Sequence, residues 1–437
     1  MSATGSRTAY LGARLLDPAS GLDAPGALLT EGTRIADLGP RLFADGVPEG
    51  IEAVDCAGRC LAPGLVDMRV QLREPGEEHK ETIQTAGRAA AAGGVTSVAA
   101  LPNTDPVVDD VAGVEFVARR ARDVKLVKVY TYGALTRRLE GAQMTELGLL
   151  SSYGAVGFTD GVKPVANAQV LRRALSYASA FDVVIAQQPQ EPTLATGSMN
   201  AGELATRLGL SGIPVMAEVI MLERDLRLAE LTGGRYHAAN ISTEESIKVI
   251  RAAKARGIRV TCDTAPHYFI LNETAVGDYR TFAKVLPPLR SEADRQAVAE
   301  AVADGTIDAI ASDHSPHDQD SKRLPFVGAD FGIVGLETLL PLALELNHKG
   351  SLSLLDLLDR LTRAPSEILG LEAGCLKAGQ PADLVIFDAE RPWRIDPEAF
   401  RSKSKNSPFE DHPVQGKALR TVVDGRTIFE AETDGAE

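Results

Sequence analysis

The run LAPGLVDMRVQLREPG, residues 61–76, sets the reading of the whole chain. It has an apolar, strand-like centre and ends in a Pro-Gly turn, and seven further strand-like runs follow it. The eight candidate strands fall near 65–72, 96–102, 127–135, 155–160, 182–188, 235–242, 259–266 and 307–314. Amphipathic stretches fit between them, the alternation expected of parallel βα units. In residues 244–256, Ile247, Ile250 and Ala253 recur every three positions and share a face. Ser242 is placed to cap that helix, with Glu245 at the capping-box position. Eight such units predict a (β/α)₈ barrel, whose chemistry would sit at the C-terminal ends of its strands.

Outward from the barrel, residues 8–60 alternate short apolar runs with Gly, Pro and Asp turns, the texture of a small antiparallel unit. The same texture returns in PADLVIFD at 381–388 and in ALRTVVDGRTIF at 418–429, a hairpin turning at Asp424-Gly425. The two ends are therefore expected to pair. The predicted organisation is α/β, with a small β-sandwich domain from residues 1–60 and 372–437 and a barrel domain over 61–371.

Composition excludes several partner classes. The 437 residues are 44% hydrophobic and 24% charged, and 46 basic against 60 acidic side chains give a net charge of −14. Such a balance argues against nucleic acid or anionic membranes as partners. Cys56, Cys60, Cys262 and Cys375 are spaced as reduced thiols rather than as a metal motif. The first residues, MSATGSR, carry no signal-peptide pattern, and no run of ~20 apolar residues follows, so a cytoplasmic protein is expected. A serine-hydrolase elbow is absent, and Gly93-Gly94 lacks the spacing of a dinucleotide loop.

Several motifs, in order, resemble the dihydroorotase family, in its longer form that associates with aspartate transcarbamoylase: LREPG at 72–76, LPNT at 101–104, GFTDG at 157–161, LGLSGIP at 208–214, ISTE at 241–244, PPLR at 287–290 and SDHSPH at 312–317. The resemblance spans nearly the whole chain and implies an amidohydrolase barrel. It also implies a metal site of a His-x-His pair on strand 1, a carboxylate or modified lysine after strand 4, histidines on strands 5 and 6, and an aspartate after strand 8.

This chain departs from that ligand set. Arg69 and Gln71 stand where the histidine pair belongs, Gln187 or Gln188 ends strand 5, and Asn240 ends strand 6, leaving Asp160 and Asp313. A guanidinium is permanently cationic, and an amide oxygen suits zinc poorly. A salt bridge from Arg69 to Asp160 or to Asp313 is the expected use of these charges. His237 is expected as a packed or hydrogen-bonded core residue, since on a strand it faces away from Asn240. His267 and His314 are read as shaping the site, and His79, His348 and His412 as solvated.

The resemblance further implies that Arg73, Asn103 and His317 occupy the positions that hold the substrate carboxylate, to which an Arg fork, an amide and an imidazole are suited. Leu286 replaces a polar partner of the ring. The residues themselves favour a structural use instead, in which Arg73 braces its loop through Glu74, since the apolar Leu286 leaves the pocket with reduced selectivity.

Two functions follow from these readings. The first is a catalytically silent, metal-free homologue that binds and stabilises or regulates the aspartate transcarbamoylase catalytic chain in pyrimidine biosynthesis, itself a homodimer as the family implies. The second is an active dihydroorotase or other cyclic amidohydrolase with an atypical zinc site. The family's mechanism needs the ion to polarise the amide and to bring the water pKa from about 15.7 toward ~7. Asp313 alone, as general base, would supply only roughly 10²–10⁴-fold. A sensor using the Arg73 pocket is a third, lesser reading.

Overall fold

The strands Leu65–Val70 and Val95–Ala100 are buried at every residue, which is why they read as continuous apolar runs rather than as alternating ones. In the computed structural model, which describes residues 6–432, they begin a parallel sheet that continues through Lys128–Ala134, Ala155–Thr159, Val184–Gln187, Arg235–Ala238, Val260–Thr264 and Ala309–Ile310. These eight strands neighbour one another in chain order, and a parallel bridge from Val70 to His314 closes the ring. The fold is thus an amidohydrolase-like (β/α)₈ barrel with a β-rich unit built from both chain ends. Residues 1–5, part of the stretch read for a targeting signal, lie outside the described residues. Among the described residues no helix is long and apolar enough to cross a membrane.

Helices coat the barrel because each presents one apolar face. In Glu244–Ala255, Ile247, Ile250 and Ala253 are buried as the three-residue spacing predicts. Its cap is Thr243 and not Ser242: the Thr243 hydroxyl accepts from Ser246 N, while Ser242 turns to the buried Glu218. The shift follows from competition, because an interior carboxylate must be satisfied by nearby donors. Thr243→Ala is expected to cost about 1–2 kcal/mol, read as a lowered urea midpoint at unchanged slope.

The chain ends form one hydrogen-bonded eight-stranded sheet in which Cys60–Pro63 pairs antiparallel with Leu384–Arg394. An antiparallel bridge from Arg34 to Pro381 brings the far edge of the sheet back against the C-terminal segment. Tyr10, Leu15, Leu28, Ile35, Leu61 and Leu384 share the core so enclosed. The hairpin at Asp424-Gly425 has φ of 49° and 72°, the primed turn that Asp-Gly favours. Gly64 links this sheet to the first barrel strand, and a Cβ there would lie 2.1 Å from Thr96. That close approach requires glycine in the run that opened the sequence reading.

Candidate functional site

Arg69 projects from the first barrel strand into the mouth and is only 3% exposed. Its Nε donates to Asp313 Oδ1 at 2.9 Å and its Nη2 to Gln188 Oε1 at 2.5 Å. Of the two expected salt bridges, the one to Asp313 forms. Asp160 instead accepts the backbone N–H and the hydroxyl of Thr136. The strand 5 ambiguity also resolves. Gln188 faces the mouth and donates to Leu286 O at 3.1 Å, whereas Gln187 faces outward, accepting from Val165 N and donating to Asp225. Alternation along the strand separates the two amides.

Burial pushes the Asp160 carboxyl up to about 6. Burial also raises Asp313, and the Arg69 guanidinium works against that rise. Asn240 sits in left-handed backbone at φ 56°, with its N–H donating to Asp263 Oδ1 at 2.6 Å. Its side-chain amide faces Asp313 but closes no hydrogen bond of its own. His237 is 1% exposed and joins Thr261 Oγ1 at 2.8 Å and Asp263 Oδ2 at 3.1 Å, a hydrogen-bonded core residue.

These donors do not fit a catalytic zinc ion. Three amides and a guanidinium stand at the positions that would need imidazoles, and Asp313 is already paired with a fixed cation. Among the described residues no group of three or more His, Cys, Asp and Glu side chains is placed to hold a metal.

Gln71 uses both ends of its amide, donating to Ser315 Oγ at 2.6 Å and accepting from Asn103 Nδ2 at 3.0 Å. Arg73, at φ 60° and 7% exposed, donates to Pro316 O at 3.1 Å and to Glu77 Oε2 at 2.9 Å, and its Nη2 lies 3.1 Å from His317 Nε2. Arginine has no acceptor, so His317 Nε2 must carry the lone pair and the proton sits on Nδ1. Nδ1 lies 3.0 Å from Asp330 Oδ2, at an angle short of a hydrogen bond. Burial lowers His317, and its approach holds Asp330 down to about 2. The structure therefore places Arg73 beside His317 and links Asn103 to them through Gln71 and the 315–317 loop. The loop brace runs through Glu77 and not Glu74, whose carboxylate takes Ile83 N and Arg120.

The remaining histidines differ in setting. His267 and His314 are buried, His79 is largely solvated, and His412 departs from the solvated expectation by reaching Glu345 Oε1 at 2.9 Å. His348 is also mostly covered.

Sequence reasoning missed three supports of the mouth. Asn406, from the connection between two strands of the terminal sheet, donates to Ser315 O and Gly332 O at 3.0 Å each and accepts from His317 N at 3.1 Å. Lys284 donates to the carbonyls of Phe326, Val327 and Ala329, and Lys322 to those of Asp330 and Gly332. Their only sequence signal is a lysine or asparagine in a loop, which ordinarily reads as solvated.

Comparison with known proteins bears on the family and the fold. The Dihydro-orotase-like family model matches residues 58–246 and the Amidohydrolase family model residues 230–429. Dihydroorotase of Anaplasma phagocytophilum (strain HZ) is 48% identical over 97% of this chain and 95% of its own, and that of Geobacter sp. (strain M21) is 45% identical over 96% and 98%. L-hydantoinase (dihydropyrimidinase) from Arthrobacter aurescens superimposes with a TM-score of 0.86 at 25% identity, covering 97% of this chain and 96% of that one. D-hydantoinase from Thermus sp., with a TM-score of 0.82 at 21% identity over 98% and 97%, shares the fold. Identity at this level across nearly the full length, on this barrel, places the chain in the dihydroorotase family of the amidohydrolase superfamily.

Proposed function

We propose that this chain is a catalytically silent, metal-free dihydroorotase homologue that serves as a structural or regulatory partner of the aspartate transcarbamoylase catalytic chain in pyrimidine biosynthesis. It acts in the cytoplasm, as a homodimer. The observation that carries the reading is the buried Arg69, bonded to Asp313 and Gln188 at the barrel mouth. A fixed cation there repels a divalent ion, and without the ion neither the amide nor the water is activated.

The donors of the carboxylate pocket support the same reading. Arg73 spends its fork on Pro316, Glu77 and His317, and Asn103 spends its amide on Gln71. A substrate carboxylate would have to displace each of these bonds. The association with aspartate transcarbamoylase rests on the resemblance to that longer form and on a scaffold kept whole around an altered centre.

The test joins metal analysis, a dihydroorotate hydrolysis assay and co-purification with the transcarbamoylase chain. The expected result is far less than one equivalent of zinc, no turnover above background, no change on Asp313→Asn, and a stable complex at micromolar concentration. Bound zinc near one equivalent with turnover abolished by Asp313→Asn would instead establish an active amidohydrolase. Failure to associate, with the transcarbamoylase fully active alone, would remove the partner role.

A further inference from the structure

Away from the barrel mouth, a cleft of about 590 Å³ opens at the seam between the barrel and the terminal sheet. On the barrel side it meets Gly93, at the entry to a strand and so at the end opposite the mouth, together with Glu337 and Pro341. On the sheet side it meets the rings of Trp393, Phe400 and Phe429. Its size is that of a small-molecule site, and seams between domains are where such sites concentrate.

Three cations line this cleft: Arg394, Arg401 and Lys417. Among the described residues none of them lies within 4 Å of a carboxylate oxygen, although Arg401 acts on Glu337 at longer range and Arg394 Nη1 donates to Asp411 O at 2.8 Å. Two are held over aromatic faces, with the Arg401 guanidinium 5.5 Å from the Phe429 centroid and Lys417 Nζ 5.5 Å from the Trp393 centroid. Trp393 Nε1 donates to Gly416 O at 2.8 Å, which fixes the indole in place.

Three acids also line the cleft. Glu337 accepts the backbone N–H groups of Arg401 and Ser402 at 2.7 and 3.1 Å, and burial pushes its carboxyl up to about 7. Asp396 accepts from Glu398 N, and Glu432 lies exposed at the rim. The cleft thus offers ring faces flanked by three cations, against which Asp396 and Glu432 at its rim keep their negative charge while burial works against ionisation of Glu337.

We propose that the cleft binds a planar aromatic anion, a ring bearing a carboxylate or phosphate, which packs against the Trp393 and Phe429 side of the cleft and pairs with Arg401 and Lys417. Stacking on a guanidinium adds to charge pairing, so ring and anion are read together. The site is independent of the barrel centre, and its success or failure leaves the silent-homologue reading untouched.

Trp393 is the one tryptophan of the chain and also borders a neighbouring pocket at His348 and Pro413, so its fluorescence reports binding and the double variant assigns it to this cleft. The full chain is titrated with benzoate and with adenosine monophosphate, and with acetate and inorganic phosphate as ringless controls. Saturable quenching by at least one ring anion is expected, with a dissociation constant of about 1 mM or tighter. Arg401→Gln with Lys417→Gln should weaken it by about tenfold or more, the scale of one lost ion pair. Both side chains reach solvent, and an unchanged melting curve establishes that the double variant folds. Which ring anion binds more tightly identifies the carboxylate or the phosphate as the preferred group. No saturable signal in fluorescence and calorimetry, equal binding of the ringless controls, or unchanged affinity in the double variant would each overturn the proposal.

Discussion

Arg69→Ala is expected to destabilise the folded chain by about 3–5 kcal/mol, the cost of leaving one partner of a buried ion pair uncompensated. Arg69 is 3% exposed and Asp313 6%, so water does little to relieve the orphaned carboxylate. The Asn240 amide still faces it, and the nearby Asp263 adds to the unfavourable field. Equilibrium urea denaturation measures the loss, and a variant within about 1 kcal/mol of the parent would show that the pair is not what holds the mouth together. The double replacement Arg69→Met with Asp313→Leu should recover much of the deficit, because an apolar pair of similar volume needs no desolvated charge. The pH dependence has a definite sign. Burial already raises Asp313, and removing Arg69 removes the main opposing charge. A carboxyl whose folded pKa exceeds its unfolded one binds more protons when folded, so stability falls as pH rises between the two values. The deficit of Arg69→Ala is therefore smallest below the ordinary carboxylate range and grows as pH climbs through the raised pKa.

The barrel was legible because its signal is local and repeated. Strands such as Val95–Ala100 need two buried faces, so their runs stand out from the amphipathic helices between them. The pairing of the two ends was legible from texture and from the Asp-Gly turn, one of the few pairs that adopt two positive φ values at little cost. The altered centre was legible for a different reason. Arg69 and Gln71 share one strand face by period two, so what stands at one position predicts what the other confronts. Which acid Arg69 would meet was not legible: Asp160 and Asp313 follow different strands, and Thr136, which follows a third, takes the first of them. The Glu74 and Glu77 exchange was similarly hidden. Arg73 takes left-handed backbone, which turns its side chain toward Glu77 and the 316–317 segment, and Glu74 is drawn away to the helix start at Ile83. Asn406 could not be found from spacing at all, since it reaches His317 across 89 residues and from a connection between strands of the terminal sheet.

The loop over the mouth rests on two buried lysines, and Lys284→Met is expected to release it. Methionine keeps the length of the aliphatic stem but removes the ammonium that donates to Phe326 O, Val327 O and Ala329 O at 2.7, 2.9 and 2.6 Å. Three carbonyls would lose their donor at roughly 1 kcal/mol each, about 3 kcal/mol in all once partial hydration is allowed. The contact of Nζ with the Phe331 ring, 4.4 Å from its centroid, goes with it. Limited trypsin digestion should then cut after Arg323 well before the global urea transition, whereas the parent stays intact. Equal resistance in parent and variant would mean that Phe326, buried against Met199, Ala205 and Val276, holds the loop unaided. Lys322→Met should cost less. It forfeits the carbonyls of Asp330 and Gly332 but also relieves the repulsion between the two ammonium groups. Burial, with Lys284 adding to it, lowers Lys322 to about 7, well below the ~10.4 of an unfolded lysine. Between those values the unfolded chain binds more protons, so the parent gains stability as pH rises through that window. Lys322→Met should lack the gain, and the two stability curves should diverge above neutrality, a difference that a purely steric role for Lys322 would not produce.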